Sequence, residues 1–326
     1  MPPTPWLQIL VLLGAGFLLL AKGAGWLVSG STQVARRLGL SVLFVGLTVV
    51  AFGTSAPEIV VSSLAALRGQ GGMSLGNVLG SNVANIGLVL GSCAIVLPRV
   101  LETHLSHREL FWLFASVLIL GWVISDGAIE RIEGAFLLLM FFVFNAHLMI
   151  TARDHGPPTE ALEEKPWPWF WVLVGVVSVS LGAKLTIDGA VAGATRLGIP
   201  DQVVGLTVLA VGTSLPELAA GLSSAFKGES EISLGNVVGS NVFNLLAAIG
   251  LVAVIRPLTP ATFGDRAPAL EGAFQEAKTL DLPLVLAFSL AMVLLPRLAR
   301  ERGRTCGFLL LAGYAGYVAW LYVTRG

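Results

Sequence analysis

Residues 46–91, GLTVVAFGTSAPEIVVSSLAALRGQGGMSLGNVLGSNVANIGLVLG, are repeated at residues 205–250, GLTVLAVGTSLPELAAGLSSAFKGESEISLGNVVGSNVFNLLAAIG. The offset is a constant 159 residues with no gap, and 23 of 46 positions are identical. A duplication of this quality constrains the fold before anything else does, because both copies must form the same local structure. Hydropathy then sets the medium. The chain is 55% hydrophobic and 12% charged, with a mean hydropathy of +0.82, against about 25% charged residues in soluble domains. Apolar runs of about 20 residues, enough to cross a bilayer, recur along the 326 residues. Ten spans are predicted, at 5–31, 42–67, 73–97, 108–125, 131–151, 167–194, 202–226, 233–255, 281–298 and 306–323. They divide into a first half, 1–152, and a second, 167–326, joined by the polar cytoplasmic linker RDHGPPTEALEEKP at 153–166. Five spans is an odd number, so the second half enters the membrane from the opposite side. The expected fold class is therefore all-α and polytopic, with ten transmembrane helices as two inverted-topology five-helix repeats. That symmetry puts a substrate site near the midplane, between the repeats.

Charge and cysteine content exclude several classes. Net charge is zero, so neither nucleic acid nor a polybasic lipid anchor is expected as a partner. Cys93 and Cys306 both lie in apolar runs and make neither a metal motif nor an expected disulfide. The first span lacks a basic region before it, and its ending Arg37-Leu38-Gly39 recurs as Arg196-Leu197-Gly198 after span six. It reads as a retained helix, not a signal peptide. With the N-terminus outside, eleven Lys and Arg fall on the cytoplasmic side and seven outside, which favours both termini outside. Trp6, Trp167, Trp169, Trp171 and Trp320 fall at span ends, as an aromatic belt does. Partners are the bilayer and the ions discussed below; no protein partner is inferable.

The chemistry lies in the duplicated segments. Each GTSxPE copy places a glutamate, Glu58 or Glu217, inside an apolar run and one residue after a proline. Pro57 and Pro216 donate no backbone hydrogen bond and push the preceding turn out of helical geometry. The carbonyls near Ala51, Gly53, Ala210 and Gly212 are expected to lose helical partners. At membrane depth such carbonyls are tolerated only where they are buried in protein or line a wet cavity. Thr54, Ser55, Thr213 and Ser214 add hydroxyl oxygens. In the GNxxGSNxxN copies, Ser81 and Asn85, like Ser240 and Asn244, are i,i+4 pairs on one helix face, and Asn77 and Asn236 lie four residues before each Ser. Gly76, Gly80, Gly235 and Gly239 are predicted to let helices approach closely. The donor set is oxygen-rich, with no nearby Cys or His. It suits calcium or sodium and not zinc or copper. Two glutamates carry −2, which one divalent cation, two or more monovalent cations or two protons would neutralise. An empty ionised pair at the midplane is costly. A site that crosses only when loaded behaves as an exchanger.

Other polar residues read as structural. Asn82 and Asn241 neighbour the Ser and must face elsewhere, as helix–helix glue. Lys22, Lys184 and Asp188 are expected to snorkel or pair locally. His104 and His107 near Glu102 read as a solvated loop face and not a metal site.

The two GTSxPE and two GNxxGSNxxN segments resemble the paired repeats of the sodium/calcium exchanger family, among the calcium/cation antiporters. The resemblance implies ten helices with spans two, three, seven and eight at the core, and four adjacent cation positions. By matching position, Glu58 and Glu217 would be shared ligands of calcium and sodium, and Thr54 and Thr213 would join the calcium position. Ser55, Ser81 and the Ala51 carbonyl would line one sodium position; Ser214, Ser240 and the Ala210 carbonyl would line the other. Asn85 and Asn244 would line the middle position, and spans one and six would slide as a gating pair. Several relatives carry Asp where this chain has Asn244, potassium-dependent exchangers among them, so potassium cotransport is not expected. Relatives that exchange calcium for protons carry an acidic residue in the GN segments, where this chain has Ser and Asn. The linker is too short for the regulatory insert of animal exchangers, so the chain resembles the prokaryotic type, in the cytoplasmic membrane.

The expected function is a secondary antiporter, not an enzyme, carrying calcium and sodium and using no cofactor. The alternative is a calcium/proton or other divalent cation/proton antiporter on the same scaffold. A channel would need a continuous pore, and an intramembrane enzyme using paired carboxylates would leave the hydroxyl and amide ligands without a purpose.

Overall fold

A computed structural model of the chain describes residues 4–151, 166–199, 210–298 and 302–325. Among them the regular elements are helical, apart from one isolated antiparallel bridge, Ile129 to Leu258. In chain order the helices are α1 (Trp6–Leu38), α2 (Val42–Leu67), α3 (Gly71–Val96), α4 (His107–Val123) and α5 (Arg131–Thr151). The second half holds α6 (Pro168–Arg196), α7 (Leu215–Phe226), α8 (Ser230–Ile255), α9 (Pro260–Arg297) and α10 (Gly303–Arg325). Nine of these are long and apolar enough to cross a membrane. Span seven was expected from 202, and residues 202–209 lie outside the described residues, as does the linker from 153 to 165.

Two boundaries differ from expectation. α1 continues past 31 to Leu38, where Gly39 takes the left-handed conformation (φ 64°) and its N–H bonds back to Ala35 and Arg36. Arg36 and Arg37 occupy the last turn, where cations suit the helix dipole. Much of the segment 256–280, read as loop, is helical: Pro260–Phe263 and Ala267–Glu276 lead through a π-helical turn, Ala277–Asp281, into Leu282–Leu298. Its charged residues broke the apolar pattern, yet the Thr259 hydroxyl caps its first turn by accepting from Thr262 N–H at 3.3 Å and its prolines sit in first turns, where they cost nothing.

α1 and α6 pack along their length in opposite directions. Gly16 of α1 faces Gly182 and Thr186, Gly23 faces Ser178 and Val179, and Gly30 faces Pro168 and Val172. Gly16, Gly23 and Gly30 lie seven residues apart, and so do their repeat counterparts Gly175, Gly182 and Gly189. Seven-residue spacing keeps them on one stripe, and a Cβ there has no room: at Gly175 it would sit 2.5 Å from Leu27 N. This antiparallel pair is the direct sign of inverted topology.

Inter-helix loops sort onto two faces as that topology requires. On the N-terminal face, Arg196 donates to Thr4 O at 2.7 Å and lies over the Trp6 ring. Arg256 and Arg266 there donate to Leu67 O and Arg68 O. On the opposite face, Leu43 N–H donates to Glu231 Oε2 at 3.2 Å. α3 and α8 are the interior helices, with 78% and 83% of their most apolar stretch buried, against 28% for α1. Leu7, Leu10, Phe17 and Phe142 are among the many exposed apolar side chains, as expected of a surface solvated by lipid. Lys22 is exposed, and Lys184 pairs with Asp188 one turn along α6.

Candidate functional site

Pro57 does not break its helix. The α-helix runs unbroken from Ala51 to Leu67, and the turn before it, Gly46–Val50, is π-helical. A proline ring clashes with the carbonyl four residues earlier, and Gly53 stands there. The second copy does break. Ala210–Gly212 is helical, Thr213 and Ser214 form a turn, and α7 starts at Leu215 with Pro216 in its first turn.

These backbones bring the two glutamates inside, both fully buried. Ser55 Oγ donates to Glu217 Oε1 at 2.9 Å, which ties α2 to α7. Glu58 Oε1 and Oε2, Glu217 Oε2 and Ser214 Oγ are buried with no hydrogen-bond partner. The Thr54 hydroxyl lies 3.0 Å from Asn236 Oδ1, 3.3 Å from Ala51 O and 3.5 Å from Ser240 Oγ; having one proton, it can donate to one of them. Thr213 Oγ1 lies 3.4 Å from Ser81 Oγ. The pairs Thr54–Ser240 and Thr213–Ser81 are repeat counterparts, so the pseudo-two-fold is visible at the level of single oxygens. Ala210 begins a described segment, and only its backbone is described.

Four asparagines complete the centre. Asn82 Nδ2 donates to Asn241 O at 3.3 Å, and Asn241 Nδ2 donates back to Asn82 O at 3.4 Å. This reciprocal pair holds α3 to α8, the role expected of it. Asn85 Nδ2 donates to Asn241 Oδ1 at 3.1 Å, leaving Asn85 Oδ1 unpartnered, and neither polar atom of Asn244 has a partner. π-helical turns run from Asn85 to Leu90 and from Phe243 to Ala248. Such turns concentrate at functional sites; nothing in the composition of these segments announced them. Asn236 was noted only as a helical neighbour of Ser240, and the structure adds it to the site through Thr54.

Unpartnered buried oxygens are rare in folded proteins and call for an explanation. Here they cluster, they are carboxylate, amide and hydroxyl oxygens, and among the described residues no cationic side chain pairs with Glu58. Hard cations are the ligands such a set accepts. A cavity of about 1200 Å³ opens on the N-terminal face and reaches Ser81 and Thr213, passing Gly76, Asn77 and Gly80. Gly76 and Gly80 were expected at a close helix contact. Gly239 meets the same expectation, since a Cβ there would sit 2.3 Å from Leu47 O of α2, while the segment that the repeat sets opposite Gly76 and Gly80 lies outside the described residues. A separate pocket of about 220 Å³ on the opposite face, beside His104, Glu109 and Glu231, includes none of these site residues. Among the described residues, no group of three His, Cys, Asp or Glu could hold a metal ion.

The profile of the family described as Sodium/calcium exchanger protein matches residues 8–150 and 167–323. The chain belongs to the sodium/calcium exchanger protein family. CaxA of Alkalimonas amylolytica is 38% identical over 319 residues, covering 94% of this chain and 96% of that protein. Inner membrane protein YrbG of Escherichia coli K12 is 33% identical over 324 residues, covering 95% of this chain and 96% of its own length. Among solved structures, the sodium-calcium exchanger NCX_Mj soaked with 10 mM Na+ and zero Ca2+ superposes with a TM-score of 0.77 at 30% identity, covering 97% of this chain and 99% of that one. The protein is thus an integral membrane cation/calcium antiporter of two inverted repeats.

Proposed function

We propose that this exchanger moves calcium out of the cell against sodium entry by alternating access, in a prokaryotic cytoplasmic membrane with both termini outside. The observation that carries the reading is the set of unpartnered buried oxygens on Glu58, Glu217, Asn85, Ser214 and Asn244, converging from α2, α3, α7 and α8. Glu58 and Glu217 serve calcium and sodium alike. Thr54 and Thr213 complete the calcium position. Ser55, Ser81 and the Ala51 carbonyl form one sodium position, and Ser214, Ser240 and the Ala210 carbonyl form the other. Asn85 and Asn244 line the middle. With −2 from the glutamates, one calcium or a set of sodium ions neutralises the site, and the empty site stays put because an uncompensated charge pair in hydrocarbon is costly. The Lys and Arg count makes the N-terminal face the outer one, so the cavity that reaches Ser81 and Thr213 is an outward-facing vestibule. The family name and the description of NCX_Mj as a sodium-calcium exchanger support the sodium coupling.

Proton coupling is the second reading, because Glu58 and Glu217 can themselves take up protons. Calcium-45 uptake into sodium-loaded proteoliposomes at fixed pH separates the two. Uptake that requires the outward sodium gradient is expected. Uptake indifferent to sodium and driven by a pH gradient would transfer the protein to the proton-coupled branch.

A further inference from the structure

The vestibule has a carboxylate that the internal duplication does not explain. Asp281 ends the π-helical turn Ala277–Asp281 of α9 and is only 7% exposed. It lines the same cavity as Ser81 and Thr213, and Tyr317 of α10 lines it as well. Asp281 lies outside the gapless repeat, which ends at Gly250, so the 159-residue offset assigns it no counterpart. The described charged residues on the cavity wall are Asp281, Glu276 and Arg266. Arg266 is held at the rim, its Nη1 donating to Arg68 O at 2.6 Å. An ionisable residue within a membrane-spanning segment that borders a wet cavity marks an ion path. A cleft lined by one sign of charge between low-dielectric walls concentrates counter-ions. Neither repeat motif includes this carboxylate.

We infer that Asp281 is a cation-capture residue of the vestibule: hydrated calcium and sodium pause at it before reaching Ser81, Thr213 and the glutamates. The inference rests on the antiporter reading above. Because Asp281 lines the cavity on the N-terminal face, capture acts on ions arriving from that face.

The test is calcium uptake by oriented proteoliposomes, comparing wild type with Asp281→Asn and Tyr317→Phe. Calcium is offered first from the N-terminal face and then from the opposite one, at low ionic strength and again with choline chloride added. Asp281→Asn should raise the half-saturating calcium concentration from the N-terminal face roughly fivefold at low ionic strength. Maximal rate and half-saturation from the other face should stay at wild-type values. Added choline chloride should shrink the difference by screening. Tyr317→Phe keeps the charge and should show a smaller shift of the same kind. Unchanged half-saturation in Asp281→Asn, equal changes from both faces, or a fall in maximal rate alone would overturn the capture role. Wild-type protein that moves no calcium would instead overturn the antiporter reading, so the two failures are distinguishable.

Discussion

α3 and α8 carry almost the same ten residues, GNVLGSNVAN and GNVVGSNVFN, in opposite surroundings. In α8, Gly235 and Gly239 press on the α2 backbone at Leu43 and Leu47, and Asn236 is buried and accepts from Thr54. In α3, Gly76 and Gly80 border the vestibule, and half-buried Asn77 turns away to donate to Ser62 at 3.0 Å. The same ten residues thus meet different partners in the two halves; residues 202–209, the repeat counterpart of the α2 segment against which Gly235 and Gly239 press, lie outside the described residues. The glutamate region shows the same asymmetry, since α2 passes unbroken through Pro57 while the second copy breaks before Pro216.

The largest expected effect falls on what the copies share. Glu58→Gln or Glu217→Gln should each reduce sodium-driven calcium uptake to background while the detergent-purified protein stays folded, because glutamine keeps the shape and removes a buried charge. Wild-type flux in either variant would remove the site. A smaller effect should separate the copies. Gly239→Ala sets a Cβ 2.3 Å from Leu47 O and should cost about 1–3 kcal/mol, read as a fall in Tm. Gly80→Ala should leave Tm nearly unchanged, within about 0.5 kcal/mol. It should slow turnover, because a methyl there intrudes on the cavity that leads to Ser81 and Thr213. Equal Tm losses would mean the two copies are equivalently packed. The smallest contrast concerns the prolines. Pro216→Ala favours closing the break at Thr213–Ser214 and should lower flux a few-fold, whereas Pro57→Ala, in a helix already continuous, should change it less than about twofold. Matching losses would show that both segments break during the cycle.

Much of this was legible in the chain. The span count, the inverted halves and the twinned glutamates follow from a gapless repeat and from carboxylates set in hydrocarbon. The Gly16, Gly23 and Gly30 stripe and its counterpart were also there to be read, since a seven-residue interval places glycines on one helix face. The helical character of 260–276 was hidden because its charged residues mimic a loop; only the vestibule beside them explains polar residues on that helix. Asp281 was hidden for the same reason, lying at the start of a predicted span with no motif around it.

By itself, the sequence determined which residues could be ligands and that they come in pairs related by a two-fold, because duplication copies chemistry along with structure. Which partners each copy meets was left to the tertiary structure. Two nearly identical segments have the same local preferences, so only long-range packing separates them: Asn236 accepts from Thr54 across the repeats, while Asn77 donates to Ser62. The backbone also decided where the prolines matter: the helix runs unbroken through Pro57, while the second copy turns at Thr213–Ser214 before Pro216.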